Sequence, residues 1–400
     1  MIETIELTKA YRRVRAVDGL SFTARPGRVT GFLGLNGSGK TTTLRMLLGL
    51  TRPTSGVALL GGKPFAELRD PVREVGAVLE QGLSHPGQSG RAHLTSQAIL
   101  TGVRRDRVDL LLDQVGLTAA AHQRSGDYSL GMRQRLAVAT ALLADRRDSG
   151  GGEPRRRGRR RTRLRRGHPA VRTHHRRPHP RTDLPRPGGR LMLTLLRSEL
   201  HRMATIRSSW LSIALFGVMA AGFGLFEAYF WALFAGIGAF CISVLTVSQH
   251  YQHRTIVLLY LARPRRVVVL FSQVLTAAAV AWVLTALTGI TVLVKHSTQA
   301  YQSTGLAYQN TLTVVPVLAV FGAALAVIVR RPAWIFTGAG LWFIVVEGLL
   351  GQLEWPLPIS SFLDATKSEP DPFSLMIFAC WTLTALAVAV PTLSRDLSPD

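Results

Sequence analysis

Gly34-Leu35-Asn36-Gly37-Ser38-Gly39-Lys40-Thr41 is the stretch on which the reading of this chain turns. It fits the pattern G-x-x-x-x-G-K-[ST], and it sits between a short apolar run, Val29-Thr30-Gly31-Phe32-Leu33, and a helix-forming segment, Thr41 to Leu50. Glycines let the backbone fold tightly enough for successive N–H groups to face a phosphate chain. The helix that follows turns its positive end to the same place. In such a loop Lys40 reaches the outer phosphates, Thr41 ligates Mg²⁺, and Thr42 continues the phosphate-facing turn. A chance glycine turn would not be flanked by a strand and a helix in this order.

Around the loop, residues 1–145 read as α/β. Val75 to Leu79 is a second short, buried strand candidate, while Arg107 to Val115 and Met132 to Leu143 have helical periodicity. Short strands alternating with helices predict a mostly parallel sheet.

About 90 residues after the loop comes Tyr128-Ser129-Leu130-Gly131-Met132-Arg133-Gln134-Arg135, at the start of a helix with Ser129 placed to cap it. By itself this is also what any capped amphipathic helix looks like. Its sequence and its distance from the loop resemble the signature of ATP-binding-cassette (ABC) ATPases, and residues 1–145 look like two-thirds of such a domain. The resemblance implies an α/β P-loop NTPase-type fold, incomplete at its C-terminal end, with ATP and Mg²⁺ as cofactors. It implies that Ser129 and Gly131, within Ser129, Leu130, Gly131, Met132, Arg133 and Gln134, touch the γ-phosphate held by an opposite subunit. It places Tyr11 against adenine, although a strand aromatic packed in a core would look identical. After the strand that ends here at Leu79 the family supplies a Mg²⁺-ligating Gln; that place holds Glu80, with Gln81 next, and either could serve.

The family's next elements are not legible. An apolar strand ending in Asp-Glu-Pro should follow Asp145, and a later strand should end in a histidine. Glu153-Pro154 stands near the first place behind Gly150-Gly151-Gly152, and no strand leads to His174 or His175. No catalytic residue is assigned, and ATP hydrolysis by this chain is in doubt.

Residues 146–190 hold 17 Arg against Asp148, Glu153 and Asp183, a net charge of +14 out of the chain's +24. Isolated aliphatics such as Leu164 and Val171 cannot offset the entropy of ordering the segment, so disorder is expected. Three origins compete. A nucleic-acid tail is disfavoured because no aromatic interleaves the arginines. A linker held to anionic lipid is the second. Out-of-frame translation of a GC-rich gene is favoured, since the segment is rich in Arg and contains no Lys.

From residue 191 to 400 the chain has six apolar stretches of the length a bilayer demands, about 17–25 residues each. They are Ser209–Phe226, Ala228–Val247, Val267–Val294, Thr311–Val329, Trp334–Leu350 and Phe373–Pro391. His253, Arg254, Arg263, Arg265 and Arg266 lie between the second and third, and Arg330-Arg331 between the fourth and fifth. Glu354, Asp364, Glu369 and Asp371 lie between the fifth and sixth. The positive-inside rule then puts both termini in the cytoplasm of a multi-pass membrane protein. The loop His253 to Arg266 resembles the ATPase-contacting loop of type-2 ABC permeases, though a plain positive-inside loop would share its charge. Met192 to Leu200 has helical spacing suited to the inner interface. Glu347, inside the fifth stretch, is expected at the outer interface rather than on a substrate. Cys241 and Cys380 are the only cysteines, which excludes a disulfide framework or a multi-Cys zinc site. Met1 to Leu7 has no apolar h-region, so the first domain is expected to stay in the cytoplasm. The expected whole is an exporter of unknown substrate, working as a homodimer or with an intact ABC ATPase subunit; the alternative is a frameshift-fused, catalytically impaired chain that acts only as a permease subunit or not at all.

Overall fold

The computed structural model describes residues 1–79, 83–144, 188–295, 301–350 and 357–393. The chain opens on a hairpin. β1 (Ile2–Tyr11) pairs antiparallel with β2 (Val14–Ala24), and Arg12, at positive φ, makes the tight turn between them. α1 (Lys40–Leu47) follows, then β3 (Ser55–Leu60), which joins the other side of β1 to give the order β2-β1-β3. This antiparallel sheet is the one sheet among the described residues. The parallel strands expected at Val29–Leu33 and Val75–Leu79 do not form: both segments lie outside the sheet. Val29 is 104 % exposed and Leu33 92 %. A parallel strand is stable when both neighbours pair with it and both faces are covered. Among the described residues no strand pairs with either segment.

The short α2 (Pro71–Glu74) leads towards a helical unit made of α3 (Gly90–Thr101), α4 (Asp106–Gln114) and α5 (Leu130–Leu142). Its ends are well defined in physical terms. The hydroxyl of Ser89 accepts from the Ala92 amide to cap α3, and Gly102 closes the helix in the left-handed conformation. Leu94, Leu111, Leu112, Leu117, Leu136, Ala139 and Leu143 form its own buried core.

The remaining described elements are helical. α6 (Gly188–Thr205) and α7 (Arg207–Gly224) meet at an 84° bend across Ile206, whose backbone is extended. α8 (Ala228–Gln252) and the short α9 (Ile256–Ala262) precede α10 (Arg266–Lys295). α11 (Tyr301–Val329), α12 (Pro332–Leu341), α13 (Pro358–Ala365) and α14 (Pro372–Thr392) complete the bundle. Four of these, α8, α10, α11 and α14, are long and apolar enough to cross a membrane, and a bent α6–α7 span would make five. The six-span expectation is corrected by two breaks. The first stretch is only the outer arm of the bent pair, and the fifth stops short as a long α-helix, continuing from α12 as the wider π-helical turn Trp342–Leu350.

Glu347 explains part of that break. Its carboxylate accepts from the amides of Ile359 at 2.8 Å and Ser360 at 2.7 Å, from the Ser360 hydroxyl, and from Trp342 Nε1 at 3.2 Å. The charge therefore caps the N-terminus of α13, where free amides and the helix dipole favour it.

One hydrophobic core ties the two halves together. Leu7 and Val17 of the sheet and Met46, Leu47 and Leu50 at α1 pack with Ile256, Leu259 and Tyr260 of α9 and Leu195 of α6. Fully burying side chains such as Ile256 and Leu259 stabilises by about 1.5–3 kcal/mol each, so the docking of α9 is substantial.

Candidate nucleotide site

The loop before α1 is shaped by close backbone approach. Gly39 has φ 83°, and a Cβ there would fall 2.1 Å from the carbonyl oxygen of Ala16 and 2.9 Å from Val17 Cγ2. Only glycine lets the loop lie this close to β2. Gly37 is also left-handed, at φ 84°, and a Cβ on Gly34 would meet Ser38 Oγ at 2.6 Å. The Ser38 amide donates to the Leu35 carbonyl at 3.1 Å, which closes the turn around Asn36 and Gly37. From Gly34 to Ser38 the loop is exposed.

Lys40 folds back over this turn. Its ammonium donates to the carbonyls of Gly34 at 2.5 Å and Leu35 at 2.6 Å. A cation is thus fixed above the concave face of the loop by local geometry alone. Thr43 closes the first helical turn through its amide and hydroxyl, both donating to the Gly39 carbonyl. The amides of Lys40, Thr41 and Thr42 lie in the first turn, where an α-helix offers no acceptor of its own. Together with the Lys40 charge they make an anion seat, and the exposed Thr41 hydroxyl stands at its edge. The fit is to phosphate. Of the expected Mg²⁺ ligands, Thr41 is described, while Glu80 and Gln81 fall outside the described residues, as do Glu153, Pro154, His174 and His175. Among the described residues no group of three His, Cys, Asp or Glu side chains converges on a metal position.

Tyr11 ends β1 and is half-buried, with the Lys9 ammonium 4.9 Å above its ring. Lys9 also donates to the Arg52 carbonyl at 2.8 Å. One face of the ring is therefore covered by a cation of the same strand.

The second motif is presented outward. Ser129 caps α5, its hydroxyl accepting from the Met132 amide at 3.3 Å. Ser129, Leu130, Gly131 and Gln134 are exposed, Met132 and Arg133 half-buried, and a Cβ on Gly131 would meet nothing within 4 Å. Tyr128 anchors this end by donating its hydroxyl to the Ala120 carbonyl at 2.7 Å, in a position sequence reading leaves unexplained. Burial raises its pKa. The motif is therefore accessible at the surface of the helical unit. It belongs to the helical unit and not to the Gly34–Thr41 loop, and no contact between the two motifs is seen among the described residues.

The loop ahead of α9 touches this domain. His85 and His253 meet edge to face with ring centroids 4.4 Å apart. Burial, followed by the charges of His253, Arg202 and His250, lowers the pKa of His85 to about 3. Its Nδ1 accepts from the Gly87 amide at 3.1 Å, so the ring is held neutral. Gln88 reaches α6 at Thr205 Oγ1, and Ser198 of α6 donates to the Ser96 carbonyl. The periodicity of Met192–Leu200 points to a helix but not to this contact. Non-local pairings of this kind leave no mark in a linear pattern.

Residues 17–147 match the family described as ABC transporter. A bacitracin transport ATP-binding protein from Bacillus licheniformis is 39% identical over 145 residues, covering 36% of this chain and 47% of that protein. An uncharacterized ABC transporter ATP-binding protein from Bacillus subtilis is 40% identical over 147 residues, or 48% of its length. An Fe(3+) ions import ATP-binding protein of Brucella melitensis is 37% identical over 143 residues, 40% of its length. The chain thus spans about half the length of the curated relatives it matches. Among solved structures, the ATP-binding subunit of an ABC transporter aligns with 36% of this chain and 62% of its own, at 24% identity and a TM-score of 0.33. On the family and sequence matches, residues 17–147 belong to the ABC transporter ATP-binding domains.

Proposed function

We propose that this chain is an ABC transporter of the exporter class with its membrane part on the same polypeptide, ATP binding at Gly34–Thr42 being coupled to movement of a substrate out of the cell. Residues 1–145 are the ATP-binding part and 191–400 the membrane part, joined by the Arg-rich segment 146–190. The observation that carries this reading is the seating of α9 in the core of the nucleotide-binding half, where Ile256, Leu259 and Tyr260 share one buried cluster with Met46 and Leu47 behind the loop. A basic loop between two apolar helices, inserted behind a phosphate-binding turn, is what a machine transmitting nucleotide state to a bilayer needs.

In the proposed site, backbone amides and Lys40 grip the triphosphate and Thr41 ligates Mg²⁺, which would neutralise the phosphate charge. Glu80 or Gln81 completes the metal site. The exposed Ser129–Gln134 face closes the site of a partner, either a second copy or an intact ABC ATPase subunit. The cargo is unassigned. Because two relatives serve bacitracin transport, bacitracin is the first compound to try. The test is ATP–Mg²⁺ binding by the purified full chain in lipid nanodiscs, with Lys40→Ala as control. Binding that Lys40→Ala weakens at least about tenfold supports the reading; no retention of ATP by the wild type rejects it.

A second reading is favoured by the exposed Val29–Leu35 segment: the chain binds nucleotide without hydrolysing it, and serves as a membrane subunit for an ATPase encoded elsewhere. ATP binding without turnover, and transport indifferent to Lys40→Ala, distinguishes it.

A further inference from the structure

Arg266 opens α10, and its guanidinium reaches three carbonyls that belong to two different helix ends. One amino group donates to the Leu393 carbonyl at the end of α14, at 2.5 Å. The other donates to the carbonyls of Gly49 and Leu50, each at 3.2 Å. Those two lie just past α1, whose end is wound shut by Gly49 at φ 65° and by the Leu50 amide donating to the Arg45 carbonyl at 2.9 Å. The Tyr260 ring of α9 lies beneath the guanidinium, 5.1 Å from it.

The chemistry explains why this position holds an arginine. The C-terminal carbonyls of α1 and α14 lack helical partners and carry the negative end of each dipole. A planar guanidinium can serve several such carbonyls at once and still stack on an aromatic ring, which an ammonium cannot do in one geometry. Arg330 is a useful contrast. It stacks on Tyr251 at 5.4 Å and donates to the Thr392 carbonyl at 3.1 Å, so it holds the same end of α14 and is not bonded to Gly49 or Leu50.

We propose that Arg266 is a positioning residue that links the phosphate loop to the membrane helices through α1, by a route additional to the seating of α9. This rests on the reading of Gly34–Thr41 as the triphosphate seat. α1 is a single eight-residue rod. Its first turn faces the phosphates and its far end is clamped by Arg266, so a shift of the loop on gripping nucleotide is delivered to the cytoplasmic ends of α10 and α14.

The experiment is hydrogen exchange on the full chain in lipid nanodiscs, with and without ATP–Mg²⁺, read at residues 266–275 and 385–393 and paired with a direct measurement of ATP binding. In the wild type, nucleotide changes protection at both sites. Arg266→Gln keeps ATP affinity within about twofold but reduces the nucleotide-dependent change at 385–393 by about fivefold or more. Arg266→Lys restores part of it. Arg330→Gln loosens the end of α14 in both conditions and leaves the nucleotide-dependent change intact. If Arg266→Gln does not fold, Arg266→Met, which removes the guanidinium and leaves the α9 core untouched, gives the same reduced response. A full wild-type response in a folded Arg266→Gln or Arg266→Met chain overturns the proposal and leaves the site intact, whereas failure of the wild type to bind ATP overturns both.

Discussion

Leu112, Leu136 and Leu143 in the helical unit are 1–2 % exposed, while Val29, Leu33 and Leu35, before and within the phosphate loop, are 84–104 % exposed. Both sets belong to one ATP-binding domain and both are apolar. They differ in where their partners come from. The helical unit completes its own core from residues 94 to 143, and only α3 also leans outward, with Leu100 in the core shared with Leu195 of α6. On the phosphate-loop side, Val29–Leu33 and Val75–Leu79 pair with no strand among the described residues. Locally complete architecture survives; architecture that waits on distant pairing is left extended, with edges that invite association. The loop itself is an exception, because Gly39 is braced by β2, which is close in sequence.

The strongest test of this contrast is between two glycines. Gly39→Ala should abolish ATP–Mg²⁺ binding, since its Cβ falls 2.1 Å from the Ala16 carbonyl and φ is 83°; backbone strain of this kind costs about 1–3 kcal/mol before the clash is counted. Gly222→Ala, within α7 and with nothing within 4 Å, should bind nucleotide as the wild type does. Titration of both full-length variants with ATP reads the difference. Equal affinity would mean that the loop is not held by β2.

Core truncation should give the next largest effect. Leu112→Ala removes a side chain that is 1 % exposed and should destabilise the helical unit by about 3 kcal/mol. Leu35→Ala, at a position 84 % exposed, should change local stability by less than about 0.5 kcal/mol. Exchange protection of peptides from α3–α5 in the two variants measures this. If Leu35→Ala costs as much as Leu112→Ala, the loop side is covered in solution and the contrast fails.

How much of this could be read in the sequence follows the same division. The phosphate loop and the capped α5 were legible because their signals are contiguous: glycine spacing in one, Ser129 ahead of a periodic stripe in the other. The β1–β2 hairpin was missed, although Val14, Val17, Leu20 and Phe22 mark one strand, because register shifts between Thr4 and Ala10 break the alternation in the other. Val29–Leu33 and Val75–Leu79 have the composition of buried strands, and composition carries no record of whether a neighbour exists. The six apolar stretches were located correctly as helical, but the bend at Ile206 and the π-helical turn after Leu341 come from backbone geometry and from the Glu347 cap, which hydropathy does not see. Arg266 is legible as positive-inside charge and as part of a loop resembling an ATPase-contacting one, but its three carbonyl partners are not, since they lie more than a hundred residues away.

The helical unit's completeness also makes it sensitive to acid in a defined way. His93 of α3 is buried, its Nε2 3.2 Å from Thr140 Oγ1 on α5, and burial lowers its pKa from 6.5 to about 4. Between those two values the unfolded chain takes up a proton that the folded one does not, so stability falls as pH drops below 6.5 and stops falling near 4. At pH 5 the loss is about 2 kcal/mol. His93→Gln, which keeps a polar group towards Thr140 without the titration, should flatten that dependence for α3 and α5 while being less stable at neutral pH. His85, lowered to about 3 by burial and by His253, has the same sign but sits at the contact with α9. Exchange must therefore be read peptide by peptide between pH 5 and 7.5, with 90–101 and 130–142 reporting His93 and 256–262 reporting His85. An acid response at α3 and α5 that survives His93→Gln would show that the unit is opened from the α9 junction and does not stand on its own core.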